Sequence, residues 1–533
     1  MSLRLAASLP RLFGSIYRST AAIPLSLRLV KPHSPCFHAA HSASLRTMST
    51  SFDPRSAATT GPVIGIIGMG DMGRMYARRL NDAGHTVIVC DRPEAYDRLA
   101  SEYRGSGITA LYDGHAVSRA ADFIIYSVEA AYIGDVVAEY GPSTKIGATV
   151  AGQTSVKAPE KVAFDKYLPA DVDIVSVHSL HGPGVTTEGQ PLIIIHHRGP
   201  KEKVTMVEDV FRSFKSRYVY LTYEEHDEVT ANTQAVTHAA FLSMGMAWKA
   251  EGGYPWEKAR WVSGIEVIKV NITLRIYAAK WHVYAGLAIL NPAAQRQIEQ
   301  YARSASELFK LMIGGHRAEL EKRVWAAREA VFGWKREQDA ELDEAGGRQP
   351  ILLSEDVLDQ FSLGTHDKNA VEEPNSHLSL LAMVDCWAAL GIRPFEHLEV
   401  AGTPVFMLWI GVAEHLFRSR DRLDKAIDAG ITDRVFRPDD LEFTVAARGW
   451  NECVNFGNFD LYERRFKEAA GESLAGGGGP PIGCLSRSSA AGRTRTRCTR
   501  GGMSHGDTRK KSRQSPLART SMRPSWCDAR GSR

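Results

Sequence analysis

Hydrophobic positions follow two different rhythms along the chain, and the change falls near Tyr223. Before it, short apolar runs recur between polar and Gly-rich breaks: Val63–Ile67, Thr86–Cys90, Gly107–Leu111, Ala121–Val128, Ile146–Val150, Asp173–Val177, Leu192–His197 and Val219–Leu221. Runs of this length, bounded by turn residues, predict buried strands. Helix-like stretches lie between them, among them Arg74–Ala83, stopped by Gly84, and Ile133–Tyr140. Strands alternating with helices predict an α/β Rossmann domain over residues 62–222, a doubly wound and mainly parallel sheet. After Tyr223 the apolar spacing turns helical: Val229 to Trp248, Trp261 to Leu290, Ile298 to Met312 and Leu320 to Phe332. This predicts an all-α substrate and dimerisation domain over residues 223–334. Residues 335–375, polar and carrying Gly346-Gly347 and Pro374, read as a connection. Leu378–Leu390, Val405–Phe417 and Asp440–Lys467 predict a helical extension over residues 376–473.

Composition narrows the function classes. A chain of 533 residues, 44% hydrophobic and 24% charged, suits a globular protein of two or three domains. No apolar run approaches the roughly 18–20 residues of a membrane span, so no membrane partner is expected. The net charge of +4 conceals an asymmetry. Residues 1–52 hold about six Arg or Lys and no acid, and residues 474–533 hold about 13 against Asp507 and Asp528, which leaves the middle at about −13. An acidic body gives no support for nucleic-acid binding. The seven cysteines are scattered without metal-site spacing, so no metal is expected, and Cys90 and Cys386 read as core residues of a reducing compartment. Residues 1–61 form a leader with two readings. Arg- and Ser-rich composition over residues 1–47 suits a mitochondrial transit peptide; Met48 as the true start suits a cytoplasmic protein. The Gly-, Ser- and Arg-rich tail over residues 474–533 is expected to be disordered.

The first strand runs into Gly68-Met69-Gly70-Asp71-Met72-Gly73, and a helix follows. Strand, GxGxxG and helix in that order predict a dinucleotide site, with the pyrophosphate at the helix N-terminus. The second strand ends at Asp91-Arg92, where a ribose-binding acid is expected. Asp91 suits the ribose of NAD and repels a 2′-phosphate; Arg92 binds that phosphate if Asp91 turns away, so the residues leave NADP and NAD both open. Ser127 and Val128, at the end of the fourth strand, complete the cofactor set.

His178 is expected just past the sixth strand, facing the crevice as a proton or hydrogen-bond acceptor; a loop histidine held by backbone is the plain alternative. Ser155, in the loop before Lys157, either bridges the histidine and a substrate or caps the next helix. Gln234 and His238, four apart, share one helix face; a core histidine is the plain reading of His238. Arg275 stands in an otherwise apolar helix and needs either an internal ion pair or an anionic substrate. His181, His196 and His197 read as turn and strand-end residues without a chemical role.

Several stretches together carry a resemblance: Ile64–Gly73, Gly152-Gln-Thr-Ser-Val-Lys157, Val177–Pro183, Glu188-Gly-Gln-Pro191, Tyr223-Glu-Glu-His-Asp227, Thr233–Gly245, Leu274–Tyr284 and Asn375–Leu380. Over roughly residues 62–470 the chain resembles the prephenate dehydrogenases, specifically their fungal NADP-dependent form. The resemblance implies oxidative decarboxylation of prephenate to 4-hydroxyphenylpyruvate, with hydride passing to NADP. It implies that His178 accepts a hydrogen bond from the C4 hydroxyl, that Ser155 supports both, that Arg275 binds a carboxylate and that His238 lines the pocket. Ser179 after the histidine departs from the bacterial pattern. Arogenate is a second substrate to weigh. A β-hydroxyacid-type dehydrogenase would need a helical catalytic lysine, and neither Lys249 nor Lys280 lies in the required motif. A cofactor-binding sensor or scaffold is the non-enzymatic alternative. Long apolar helices after the sheet are expected to pair two copies in a homodimer.

Overall fold

A computed structural model describes residues 61–255, 264–339, 351–352, 374–402 and 404–475. The leader, nearly all of the expected tail and most of the connection lie outside the described residues.

All eight expected strands are present: β1 Ile64–Ile67, β2 Val87–Cys90, β3 Ile108–Ala110, β4 Phe123–Tyr126, β5 Thr149–Gly152, β6 Asp173–Ser179, β7 Pro191–Arg198 and β8 Arg217–Tyr220. They form one sheet in the order β3-β2-β1-β4-β5-β6-β7-β8. Every pair is parallel except β6 with β7. The order reverses between β1 and β4, which opens the ligand crevice at their carboxyl ends. β1, β2, β4 and β5 are buried along their whole length, as expected where helices cover both faces.

One strand boundary differs from expectation in a way that matters. β6 continues through His178 and Ser179, because antiparallel β7 pairs Ile193 with His178 and Leu192 with Ser179. His178 is therefore held by a sheet ladder rather than carried on a loop. Alternation along β6 puts Val175 and Val177 in the apolar core and gives Ser176 and His178 to the opposite face.

The helices of the sheet domain are α1 Asp71–Asp82, α2 Tyr96–Glu102, α3 Gly114–Ala120, α4 Ile133–Tyr140, α5 Ala158–Tyr167 and α6 Lys201–Phe211. α1 starts three residues earlier than its composition suggests, so Asp71, Met72 and Gly73 form its first turn. Gly73 is obligatory there, since a Cβ would overlap the Gly68 carbonyl oxygen; Gly68 itself holds φ +101.

The helical part opens with α7 Tyr223–Thr230, begun by a capping box between Thr222 and Glu225. A π turn, Ala231–Ala235, joins it to α8 Val236–Ala250 without a break. α9 Ile265–Tyr277 and α10 Trp281–Leu290 follow, two helices where the apolar pattern suggested one run. α11 Pro292–Ile313, capped by Asn291, and α12 Arg317–Phe332 come next. Beyond the connection lie α13 Leu378–Leu390, α14 Leu398–Ala401, α15 Pro404–Arg418, α16 Arg420–Thr432, α17 Arg437–Asn455 and α18 Phe459–Ala475. The last two occupy what reads as a single helix from Asp440 to Lys467; Gly457 at φ +60 turns the chain between them. Phe241, Ile272, Tyr301, Leu381, Trp387, Trp409, Trp450 and Tyr462 belong to one buried core, so the extension packs directly on the first helices. No helix among the described residues is long and apolar enough to cross a membrane.

Candidate active site

The glycine loop is shaped to admit a phosphate. A Cβ on Gly68 would strike the Ser127 carbonyl and the Val128 side chain, so the end of β4 presses on the loop from behind. A Cβ on Gly70 would meet nothing within 4 Å, and no side chain caps α1 there. Open space before an uncapped helix N-terminus is what a pyrophosphate requires. Asp91 has turned inward: its carboxylate accepts the Met69 N–H at 3.1 Å and the Arg92 N–H at 2.8 Å. Arg92 is left exposed, and no ion pair to it occurs among the described residues. The repulsion of a 2′-phosphate by Asp91 is thus reduced, and a cation stands beside it. The residues fit NADP. From the helical part, Lys280 reaches Asp71 at 2.6 Å and His282 reaches Glu129 at 3.3 Å.

At the far end of the crevice, His178 sits at the head of a relay that the sequence did not announce. Its Nδ1 lies 2.7 Å from Nε2 of His226 on α7. Nδ1 of His226 lies 2.9 Å from Asp227 Oδ1. The Asp227 carboxylate also accepts the backbone N–H groups of Lys157 at 2.7 Å and Ala158 at 2.8 Å, capping α5. The proton inventory follows from this order. An ionised carboxylate only accepts, so His226 carries its proton on Nδ1 and accepts at Nε2. His178 must then donate from Nδ1, which leaves Nε2 with a free lone pair. Burial, then repulsion from His226 and Lys157, holds the His178 pKa well below its ordinary value. Burial does the same to His226. Burial lifts Asp227 to about 6, against the pull of its two backbone donors.

The floor of the relay is an ion pair with no exposure, Lys157 to Glu160 at 2.8 Å. Lys157 also donates to the Gly152 and Val177 carbonyls, tying β5 to β6 beneath His178. Tyr76 of α1 bonds Ser179 at 2.6 Å, which ties the cofactor helix to the same strand. Ser155 is half-buried, makes no side-chain hydrogen bond among the described residues and does not cap α5. That cap comes from Asp227, and the partner of His178 is His226; the two structural roles expected of Ser155 are taken by residues of α7.

The helix that carries His226 continues to Gln234, within the π turn, and His238. His238 meets Tyr284 edge-on at 4.6 Å, and its Nδ1 is buried without a partner among the described residues. Burial alone lowers its pKa to about 4, so it is neutral and uncharged by any neighbour. Arg275 is half-buried on α9 and makes no ion pair among the described residues. It lies near enough to Tyr284 for its charge to oppose the burial that lifts that phenol to about 12. An unpaired guanidinium beside a neutral histidine and a phenol suits a carboxylate-bearing ligand. Trp450 and Tyr462 of α17 and α18 line the cavity behind His238, so the extension, which shows no chemistry in sequence, builds part of this wall. His196 and His197 bond to Gly199 O and Asp165, as structural residues do. Among the described residues no cluster of His, Cys, Asp and Glu is arranged to hold a metal ion.

Comparison with known proteins gives two family models. Residues 63–220 match the NAD binding domain of 6-phosphogluconate dehydrogenase, and residues 235–471 match a 6-phosphogluconate dehydrogenase C-terminal domain. The chain is 53% identical over 405 residues to a probable prephenate dehydrogenase (NADP+) of Schizosaccharomyces pombe, covering 76% of this chain and 92% of that one. It is 52% identical over 412 residues to the prephenate dehydrogenase (NADP+) of Saccharomyces cerevisiae, covering 76% and 88%. The solved prephenate dehydrogenase of A. aeolicus with hydroxyphenyl propionate and NAD+ aligns with 50% of this chain and 96% of its own, at 18% identity and a TM-score of 0.40.

Proposed function

The chain belongs to the prephenate dehydrogenase family, and we propose that it converts prephenate to 4-hydroxyphenylpyruvate and CO2 in tyrosine biosynthesis, with His178 as its base. The observation that carries the residue roles is the ordered relay from Asp227 through His226, which presents a neutral His178 Nε2 as an acceptor. The C4 hydroxyl of prephenate donates to that nitrogen. NADP, when bound, supplies the hydride acceptor. As the C4–O bond gains carbonyl character, His178 takes up positive charge, and the relay stabilises it through the Nδ1–H bond to His226. The bond from the ring to its carboxylate breaks, CO2 leaves, and the electron pair completes the aromatic ring; the shared proton returns to the phenolic oxygen. Arg275 holds a substrate carboxylate, with His238 and Gln234 beside it on the neighbouring helix. Ser155 is close to β5's end and serves the C4 hydroxyl once substrate is present. Arg92 takes the 2′-phosphate.

The competing readings are separable. The lysines that a β-hydroxyacid mechanism would recruit are engaged elsewhere, Lys249 with Glu468 and Lys280 with Asp71. Arogenate differs from prephenate in bearing an amino group where prephenate has a keto group. Turnover of both substrates with NADP and NAD side by side, following NADPH and released CO2, decides among them. Absence of turnover with prephenate defeats the proposal, and cofactor binding without any turnover favours a sensor. The helical part is proposed to pair two copies; exposed Leu441 and Val445 on α17 offer an apolar face, and sedimentation of the pure protein tests it. The buried free thiols Cys90, Cys386 and Cys453 suit the cytoplasm, which fractionation of source cells tests.

A further inference from the structure

Gln153 is a carboxamide at the crevice edge that nothing among the described residues uses. Its backbone N–H donates to the Tyr126 carbonyl at 2.9 Å, so it extends β5 one residue past Gly152. The residue is 9% exposed. Both Nε2 and Oε1 are buried, and neither has a hydrogen-bond partner among the described residues. A donor and an acceptor unpaired on one side chain is a costly arrangement in a native protein and calls for a ligand or solvent partner. Alternation along β5 puts Gln153 on the face of Ala151, whose core neighbours include residues of α1. Tyr76 and Ser179 on that face bond to each other, so neither hydroxyl answers the carboxamide. The position is the carboxyl end of the strand between β4 and β6. Its neighbours are the Ser127 end of β4 on one side and the strand of His178 on the other.

We propose that Gln153 pairs with the carboxamide of the nicotinamide ring. Its Nε2 donates to the ring's amide carbonyl, and its Oε1 accepts from the ring's amide NH2. Rotation about its side-chain bonds exchanges a buried, unpaired amide for one with both ends satisfied. The pairing fixes which edge of the ring faces β5 and so which carbon lies toward His178. The proposal rests on the reading of this crevice as the NADP site.

Calorimetric titration of the full chain with NADP and with its 3-acetylpyridine analogue tests it. The analogue keeps the carbonyl and replaces NH2 by CH3, so only the bond to Oε1 is lost. The wild-type protein is expected to bind the analogue about tenfold more weakly than NADP, the effect of one buried hydrogen bond. Gln153→Leu is expected to bind NADP about tenfold or more weakly and to lose the distinction between the two cofactors. Its melting temperature should match or exceed the wild type, since an unpaired amide has been removed; Gln153→Met serves if the leucine variant does not fold. A variant that discriminates between NADP and the analogue as the wild type does overturns the assignment of Gln153. Failure of the wild type to bind NADP at all overturns the cofactor site with it.

Discussion

Replacing His226 by Phe removes one hydrogen bond and leaves the substrate pocket untouched, so its effect measures the relay directly. The bond is 2.7 Å long, between rings that are 0% and 9% exposed. In the resting enzyme it joins two neutral imidazoles and is worth about 0.5–1.5 kcal/mol. At the transition state His178 carries positive charge, and the same bond becomes charge-assisted, worth about 1.5–3 kcal/mol. Only the difference, roughly 1–1.5 kcal/mol, appears in kcat. That is about a tenfold loss, and a larger one if the freed ring also turns from the substrate. KM for prephenate should stay within about threefold, since His226 touches no substrate in this reading. Folding should survive, because Asp227 keeps both backbone donors of α5. His226→Gln provides the control: its oxygen accepts from His178 and its amide donates to Asp227, so most of the rate should return. The assay is NADPH formation under saturating prephenate and NADP, with melting curves for each variant. A kcat for His226→Phe within twofold of the wild type would falsify the relay, as would a glutamine variant no faster than the phenylalanine one.

Arg92→Ser should raise KM for NADP by about 10- to 100-fold, the range of a charged hydrogen bond, and leave KM for NAD nearly unchanged; equal losses with both cofactors would place the 2′-phosphate elsewhere. Acidification should lower kcat/KM below about pH 6, where Asp227 gains its proton and His226 loses the acceptor that orders the relay; a limb centred above about pH 7 contradicts the neutral, buried His178. Burial lifts the Asp440 carboxyl from 3.8 to about 7 despite its bond to Ser376. A raised folded pKa contributes stability at low pH that is lost as pH climbs through about 7, up to about 4 kcal/mol by linkage. Asp440→Asn should therefore raise the melting temperature more at pH 8 than at pH 5, and an equal rise at both would refute it.

Strands were legible because buried parallel strands are nearly continuous apolar runs, as Phe123–Tyr126 is. α16 was not, because Arg420-Asp421-Arg422 opens a helix whose buried side is only Leu423, Ala426, Ile427, Ala429 and Gly430. Glycine spacing revealed the phosphate site since each glycine answers a local steric demand. The turning of Asp91 toward Met69 is a contact across 22 residues, and no local pattern encodes it. Ser155 shows the opposite failure: serine before a helix is a good cap in isolation, yet a carboxylate arriving from α7 with two acceptor oxygens took both N–H groups. His226 and Asp227 lay in view inside Tyr223–Asp227, but their meaning depends on β6 passing 48 positions away in sequence.

The unbroken helix from Tyr223 to Ala250 explains why a base from the sheet and a pocket from the helices can be held as one unit. His226, Gln234 and His238 are separated by multiples of four residues. On a regular α-helix each step of four advances about 40° around the axis, so His238 would lie about 120° from His226. The π turn at Ala231–Ala235 is wider and takes back part of that advance. Its location between the relay histidine and the pocket histidine gives it a geometric role: it sets the angle between the group that orders the base and the group that meets the substrate. The helix is anchored at both places. Asp227 grips α5 at one end, and the Asn291 side chain donates to the Asp227 carbonyl at 2.8 Å from the cap of α11. Further along, Phe241 packs on Trp409 at 4.7 Å. The extension therefore does more than enlarge the core. By fixing α8 from behind, and by placing Trp450 and Tyr462 against the His238 cavity, it holds the substrate side of the site in register with a base that belongs to the sheet.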